Sequence, residues 1–243
     1  MKREIFMIES NRKIAKNVYE MTLFGDASEI SKPGQFVNIK LDGLYLRRPI
    51  SVCDTDGKSL TLVYKVVGEG TEKMSELSHG NPIDILLPLG NGYDISKGGN
   101  SVIIGGGVGV PPMYMLCKKL LEIGKNPVVI LGFNTKDEVF YADKFEKLGV
   151  KTIVATADGS FGKKGFVTDA LRDIKTYSYF FACGPEPMLK AVCNEAKTDG
   201  QLSFEERMGC GFGACMGCSC KTKYGAKRIC KDGPVLEKEE IIW

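Results

Sequence analysis

The chain has 243 residues, 43% of them hydrophobic, and its 33 Lys and Arg against 30 Asp and Glu leave a formal net charge of +3. The charges are interspersed, which argues against the basic face that a nucleic-acid partner requires. The longest apolar stretch, Val102 to Leu116, is broken by glycines and Pro111-Pro112 and falls short of the ~20 residues of a membrane-spanning helix. Met1 to Ser10 has no apolar core of signal-peptide length, so the 9 cysteines are expected to serve as thiols or ligands in a reducing cytoplasm.

Along the chain, Glu4–Glu9, Val18–Phe24, Phe36–Lys40, Leu46–Cys53, Leu60–Val67 and Ile83–Leu87 are short and rich in β-branched and aromatic residues. Gly, Pro, Asp and Asn separate them, and only Thr71–Leu77 reads as helix. This pattern predicts a small closed β-barrel over residues 1–97. After Gly98-Gly99 the rhythm changes. Strands are expected at Ser101–Ile104, Val128–Leu131, Lys151–Ala155 and Tyr179–Ala182, alternating with helices at Pro111–Ile123, Asp137–Leu148, Val167–Asp173 and Glu186–Ala196. Such alternation predicts an α/β domain over 98–203, a parallel sheet with helices on both faces and ligands beyond the carboxyl ends of its strands. The remainder, 204–243, is a small segment of glycines and cysteines without periodicity.

That segment carries the most specific signal. Cys210, Cys215, Cys218 and Cys230 have the spacing C-x4-C-x2-C-x11-C, the plant-type arrangement for a [2Fe-2S] cluster. A structural zinc site usually draws on two short C-x2-C pairs, and Cys230 has no close partner of that kind. Gly209, Gly211, Gly213 and Gly217 supply the close backbone approach that lets amides point at sulfides. Cys220 is the spare thiol. Cys53, Cys117, Cys183 and Cys193 are scattered singly among apolar residues, as small buried hydrophobes are.

Four other motifs suit phosphate-bearing ligands. Gly105, Gly106, Gly107, Val108 and Gly109 lie between a strand and a helix opened by Pro111-Pro112, where glycines and a helix N-terminus favour a pyrophosphate. The spacing is not G-x-G-x-x-G, so this is not the dehydrogenase fingerprint. Cys183-Gly184-Pro185-Glu186 forms a second strand-to-helix turn, expected on the same sheet edge and able to clasp the other end of one dinucleotide. In the first domain, Arg48-Pro49-Ile50-Ser51 pairs an arginine suited to phosphate with a hydroxyl able to reach a ring nitrogen. Lys65 to Thr71 adds a glycine-flanked helix start. His79 is the sole histidine and no serine elbow is present, so triad chemistry has no support and no catalytic acid or base is assigned.

In this order the motifs, together with Pro33-Gly34-Gln35-Phe36-Val37, resemble the ferredoxin reductase superfamily. The addition from Glu205-Glu206-Arg207-Met208-Gly209-Cys210 through Cys230-Lys231-Asp232-Gly233-Pro234-Val235 is similar to that of the electron-transfer subunits of NAD-linked (type B) dihydroorotate dehydrogenases. The resemblance covers essentially the whole chain. It implies FAD on Arg48, Pro49, Ile50 and Ser51, with contacts from Val63, Tyr64, Lys65, Gly70 and Thr71. It also implies NAD at the glycine loop and Cys183 to Glu186, and the cluster on the four cysteines. A separate FMN-containing catalytic subunit would oxidise dihydroorotate in pyrimidine biosynthesis, two of each chain forming a heterotetramer, and this chain would pass the electrons to NAD+. Asp137 and Glu138, after the second strand, would disfavour the extra phosphate of NADP. Trp243 would pack on the barrel or on a partner. Two other readings stay open: a diaphorase subunit serving ferredoxin, sulfur compounds or a hydrogenase, and a zinc-stabilised nucleotide-binding protein without electron flow.

Overall fold

In the computed structural model, which describes residues 1–243, alternating strands build the first half. Strands β1 (Lys2–Ala15), β2 (Val18–Phe24), β3 (Phe36–Lys40), β4 (Arg48–Thr55), β5 (Ser59–Lys65) and β6 (Pro82–Leu89) close into a barrel in the order β1-β2-β5-β4-β3-β6. Their inward residues, among them Phe6, Met21, Leu23, Val37, Ile39, Val52, Leu60 and Leu62, form one core. Closure leaves no strand edge to pair with another chain. Helix α1 (Glu69–Glu76) seats Met74 in that core. The Thr71 hydroxyl accepts from the amides of Val67 at 2.9 Å and Gly68 at 3.3 Å, which fixes the loop entering the helix.

The second half is a parallel sheet. Strands β7 (Ser101–Gly106), β8 (Val128–Phe133), β9 (Thr152–Thr156), β10 (Lys163–Lys164), β11 (Tyr179–Cys183) and β12 (Gly200–Ser203) run in the order β10-β9-β8-β7-β11-β12. Helices α2 (Val110–Glu122) and α3 (Ala142–Lys147) cover one face, and α4 (Val167–Arg172) and α5 (Glu186–Glu195) cover the other. The cysteine-bearing segment forms a hairpin, β13 (Ser219–Thr222) with β14 (Gly225–Arg228), and then β15 (Val235–Glu237). Strand β15 returns to the sheet and pairs antiparallel with β12. No helix is long and apolar enough to cross a membrane.

The expected helix Asp137–Leu148 is interrupted. A short 3-10 turn occupies Lys136–Glu138, Tyr141 adopts a φ of 66°, and α3 begins only at Ala142. A non-glycine residue in that region costs roughly 1–3 kcal/mol, and tertiary bonds hold it there. The Tyr141 hydroxyl and the Lys144 ammonium both donate to Glu20 of β2, which Arg12 also engages. Tyr141 stacks on Tyr114 of α2 with ring centroids 5.4 Å apart. The barrel and the sheet domain therefore meet at a buried carboxylate, flanked by the Lys118–Asp54 pair at 2.7 Å and the Lys65–Glu138 pair at 3.3 Å.

Burial works to raise the pKa of Glu20, but the bonds from Lys144, Tyr141 and Arg12 outweigh it and hold the carboxyl at about 2. A depressed carboxyl stabilises the fold above its ordinary value of 4.5, and that contribution is lost as pH falls toward about 2. Glu20→Gln is expected to cost about 2–4 kcal/mol at neutral pH in denaturant unfolding, because it leaves Lys144 without its counter-charge. The gap from wild type should narrow on acidification; a gap independent of pH would show that Glu20 carries no charge-dependent role.

Candidate functional site

The Arg48 side chain at the head of β4 lies against the first turn of α1. A Cβ added at Gly70 would meet the Arg48 Nε at 2.1 Å, so only glycine admits the guanidinium there. The first amides of α1 have no helical carbonyl to bond. A guanidinium beside them makes an anion cradle of the kind a pyrophosphate fits. Pro49, Ile50 and Ser51 continue β4 and are half-buried, and Val52 and Cys53 after them are buried. Val63 faces the sheet domain, and Tyr64 points into the barrel, where its hydroxyl donates to Asn11 Oδ1 at 2.9 Å. Tyr64 thus offers a ligand its backbone alone. Lys65 is paired with Glu138 across the domain boundary. Tyr45, Leu46 and Val67, flanking these motifs in sequence, are exposed apolar groups that sequence reasoning passed over.

The glycine loop and the Cys183 turn leave adjacent parallel strands, with Cys183 of β11 in register with Gly105 of β7. They touch directly. A Cβ at Gly109 would meet the Cys183 carbonyl oxygen at 2.3 Å, and one at Gly106 would meet Met188 Sδ at 2.3 Å. Gly107 has a φ of +52° and open space where a side chain would stand, and Val108 is exposed beside it. Pro185 and Glu186 begin α5. The two turns form one continuous backbone surface at the carboxyl edge of the sheet, where dinucleotides bind on folds of this class. Glu138 accepts from both the backbone and side-chain amide of Asn134, the residue that follows β8, as well as from Lys65 of the barrel.

The cysteines divide into two chemical classes. Burial pushes Cys53, Cys117 and Cys183 up to about 12 and Cys193 to about 11, so these are neutral core thiols. Burial also raises Cys220. Cys210 goes the other way: against some desolvation, bonds from the amides of Cys215, Phe212 and Ala214 and from the Cys215 thiol draw it down to about 6. The Ala214 amide donates to Cys210 Sγ at 3.2 Å and the Cys215 amide at 3.4 Å. The Cys230 amide donates to Cys218 Sγ at 3.4 Å, and the two thiols of that pair also bond each other.

No three ligand-type side chains converge on one ion-sized point. The thiols instead form two couples, Cys210 with Cys215 and Cys218 with Cys230. A two-iron cluster takes two thiolates at each end. Amides aimed at sulfur are the hydrogen bonds that such a cluster uses, so the residues present fit it. Trp243 packs on Phe204, ring centroids 5.9 Å apart.

In chain prepared without iron, iodoacetamide at neutral pH is expected to label Cys210 well ahead of Cys53, Cys117, Cys183 and Cys193, read by peptide mass spectrometry. Equal labelling of the five would contradict this division of thiols.

Comparison with known proteins agrees with this geometry. Residues 205–242 match the iron-sulfur cluster binding domain of dihydroorotate dehydrogenase B, and residues 103–194 match the oxidoreductase NAD-binding domain. The electron transfer subunit of dihydroorotate dehydrogenase B (NAD(+)) from Fusobacterium nucleatum is 47% identical, with 99% of each chain covered. The subunit of the same name from Bacillus pumilus is 43% identical, covering 99% of this chain and 98% of that one. Among solved structures, a chain of the NADH-dependent reduced ferredoxin-NADP oxidoreductase superposes with a TM-score of 0.90 at 33% identity, over 98% of this chain and 90% of that one. An Amycolatopsis cytochrome P450 reductase, at 20% identity and a TM-score of 0.70 over 80% of this chain and 65% of that one, shares the fold. FAD, NAD and a [2Fe-2S] cluster are the cofactors that these matches and the three cradles support. The chain belongs to the family of electron transfer subunits of NAD-linked dihydroorotate dehydrogenase B.

Proposed function

We propose that this chain carries electrons between an FMN-containing dihydroorotate-oxidising subunit and NAD+, with the four-cysteine segment as the entry point and the glycine loop as the exit. The observation that carries the reading is the arrangement of Cys210, Cys215, Cys218 and Cys230 as two amide-supported couples packed against the barrel strand next to Arg48–Ser51. Full-length identity to the named electron transfer subunits supports it.

When bound, nicotinamide moves a hydride, the cluster moves single electrons, and the flavin exchanges with both. The chain's own residues bind and align. Arg48 and the first turn of α1, with Gly70 and Thr71, would hold the FAD pyrophosphate, while Pro49, Ile50 and Ser51 would line the ring with backbone support from Val63, Tyr64 and Lys65. Gly105 to Gly109 and Cys183 to Glu186 would hold NAD. Alignment suffices for hydride transfer, so no side chain need act as acid or base. The Cys183 thiol, kept neutral by burial, adds no charge where the two strand-to-helix turns meet.

A partner would dock over the cluster loop, where Phe212 is 43% and Met216 54% exposed and Cys215 lies at the surface. Two copies of each chain would form the assembly. The similarity to the NADH-dependent reduced ferredoxin-NADP oxidoreductase chain favours one second reading, a diaphorase role in another complex.

The test is to isolate the chain with its native partner without oxygen and record the visible spectrum before and after adding dihydroorotate. Bleaching of flavin and cluster bands, reversed by NAD+, is expected. A coloured complex that bleaches with NADH and ignores dihydroorotate would transfer the chain to the second reading. Cys218→Ser in the same complex should cut dihydroorotate-driven NAD+ reduction by about 100-fold while flavin reduction by NADH persists.

A further inference from the structure

Asn38 sits on β3 between Val37 and Ile39, which point into the barrel, so strand alternation directs it outward. An asparagine there belongs in water, yet it is only 1% exposed. Its Nδ2 donates to the carbonyl of Cys210 at 3.3 Å. The opposite amide orientation would set two acceptor oxygens face to face, which fixes the assignment. The next loop residue is fitted to the same side chain: Gly211 has a φ of +78°, and a Cβ there would meet Asn38 Nδ2 at 2.4 Å.

On its own strand, Asn38 lies opposite Pro49 of the Arg48–Ser51 motif. Proline has no amide to donate across the ladder, and the Arg47 Nη1 bonds the Asn38 carbonyl instead at 3.2 Å. The Asn38 Oδ1 has no donor within the chain. An orphaned buried acceptor is destabilising, so packing alone would favour an apolar side chain of the same size.

We propose that Asn38 is a positioning residue for the one-electron step between flavin and cluster, pinning the backbone of the first ligand, Cys210, to the strand opposite the flavin motif. In that step one electron passes from the cluster to the flavin when dihydroorotate is the donor, and from the flavin to the cluster when NADH drives the reverse. One group is oxidised as the other is reduced, and no bond between heavy atoms forms or breaks. The Cys210 carbonyl opens the glycine turn that aims the Ala214 and Cys215 amides at Cys210 Sγ. Holding it fixes both the approach of the cluster to the barrel and the amide bonds that tune its potential. The proposal rests on the reading of Cys210 as a cluster ligand.

The test uses the full chain loaded with FAD and cluster, as wild type, Asn38→Leu and Asn38→Asp. Leucine keeps the branched shape, with bulkier methyl groups, and removes the orphaned acceptor; aspartate keeps the shape and removes the donor. In Asn38→Leu, thermal stability and the FAD and iron contents are expected to match or exceed wild type, with NADH-driven flavin reduction as the internal control. Transfer from flavin to cluster, followed by stopped flow, should slow about tenfold or more, and the potential of the cluster read by EPR should shift. Asn38→Asp should slow the same step and lower the potential, because it sets a negative charge beside the ligand.

Unchanged transfer and potential in a cluster-bearing Asn38→Leu would overturn the proposal. So would losses of transfer, FAD and iron in equal proportion, which mark a merely structural role. A wild-type chain without a cluster signal would instead overturn the assignment of Cys210, and the role of Asn38 with it.

Discussion

One apolar layer holds the barrel, the parallel sheet and the cysteine segment in fixed relation. Phe36 and Leu89 from the outer face of the barrel, Val102, Ile104, Phe180 and Ala182 from the sheet, and Cys218, Ile229, Cys230, Leu236 and Ile241 from the cysteine segment belong to a single core. Strand β15 closes it by pairing with β12. Electron exchange between bound groups weakens steeply with distance, and close-packed cores resist small displacements. A cluster segment on a loose tether would leave that distance free to vary. Here the segment is an edge of the nucleotide-binding sheet and a cover for the barrel.

The same packing gives the cluster segment two sides. Cys218 and Cys230 are each 2% exposed and belong to the core, whereas Cys215 is at the surface. One couple therefore faces the interior of the chain, and the other couple reaches the solvent rim where a partner would stand. Hydrogen bonds from backbone amides mark Cys210 as a ready thiolate, while desolvation keeps the thiols of Cys53, Cys117, Cys183 and Cys193 protonated. Environment, not residue type, separates the two classes of thiol.

Much of this was legible in the chain. The barrel strands and the βα alternation follow from hydrophobic period and turn residues, and the cysteine spacing carries its chemistry in local order. What escaped depends on distant partners. Strand β12, Gly200 to Ser203, buries polar Gln201, whose amide finds Glu237 at 2.9 Å, so no apolar run announces it. Strand β15 lies in a charged stretch and exists because β12 offers an edge. The helix read over Asp137–Leu148 is broken because Tyr141 turns to reach Glu20, more than a hundred residues earlier. Asn38 reads as a solvent-facing position, and only the segment folded over it shows otherwise.

The central claim is that the nicotinamide, flavin and cluster sites form one conducting path inside this chain. The most direct measurement is an anaerobic titration of the isolated, cofactor-loaded chain with NADH, followed by visible absorbance and EPR. The account predicts bleaching of flavin and cluster together, an endpoint near about 1.5 NADH per chain, and a reduced-cluster signal. An endpoint near about one NADH per chain, with the cluster still oxidised and EPR-silent, would contradict it.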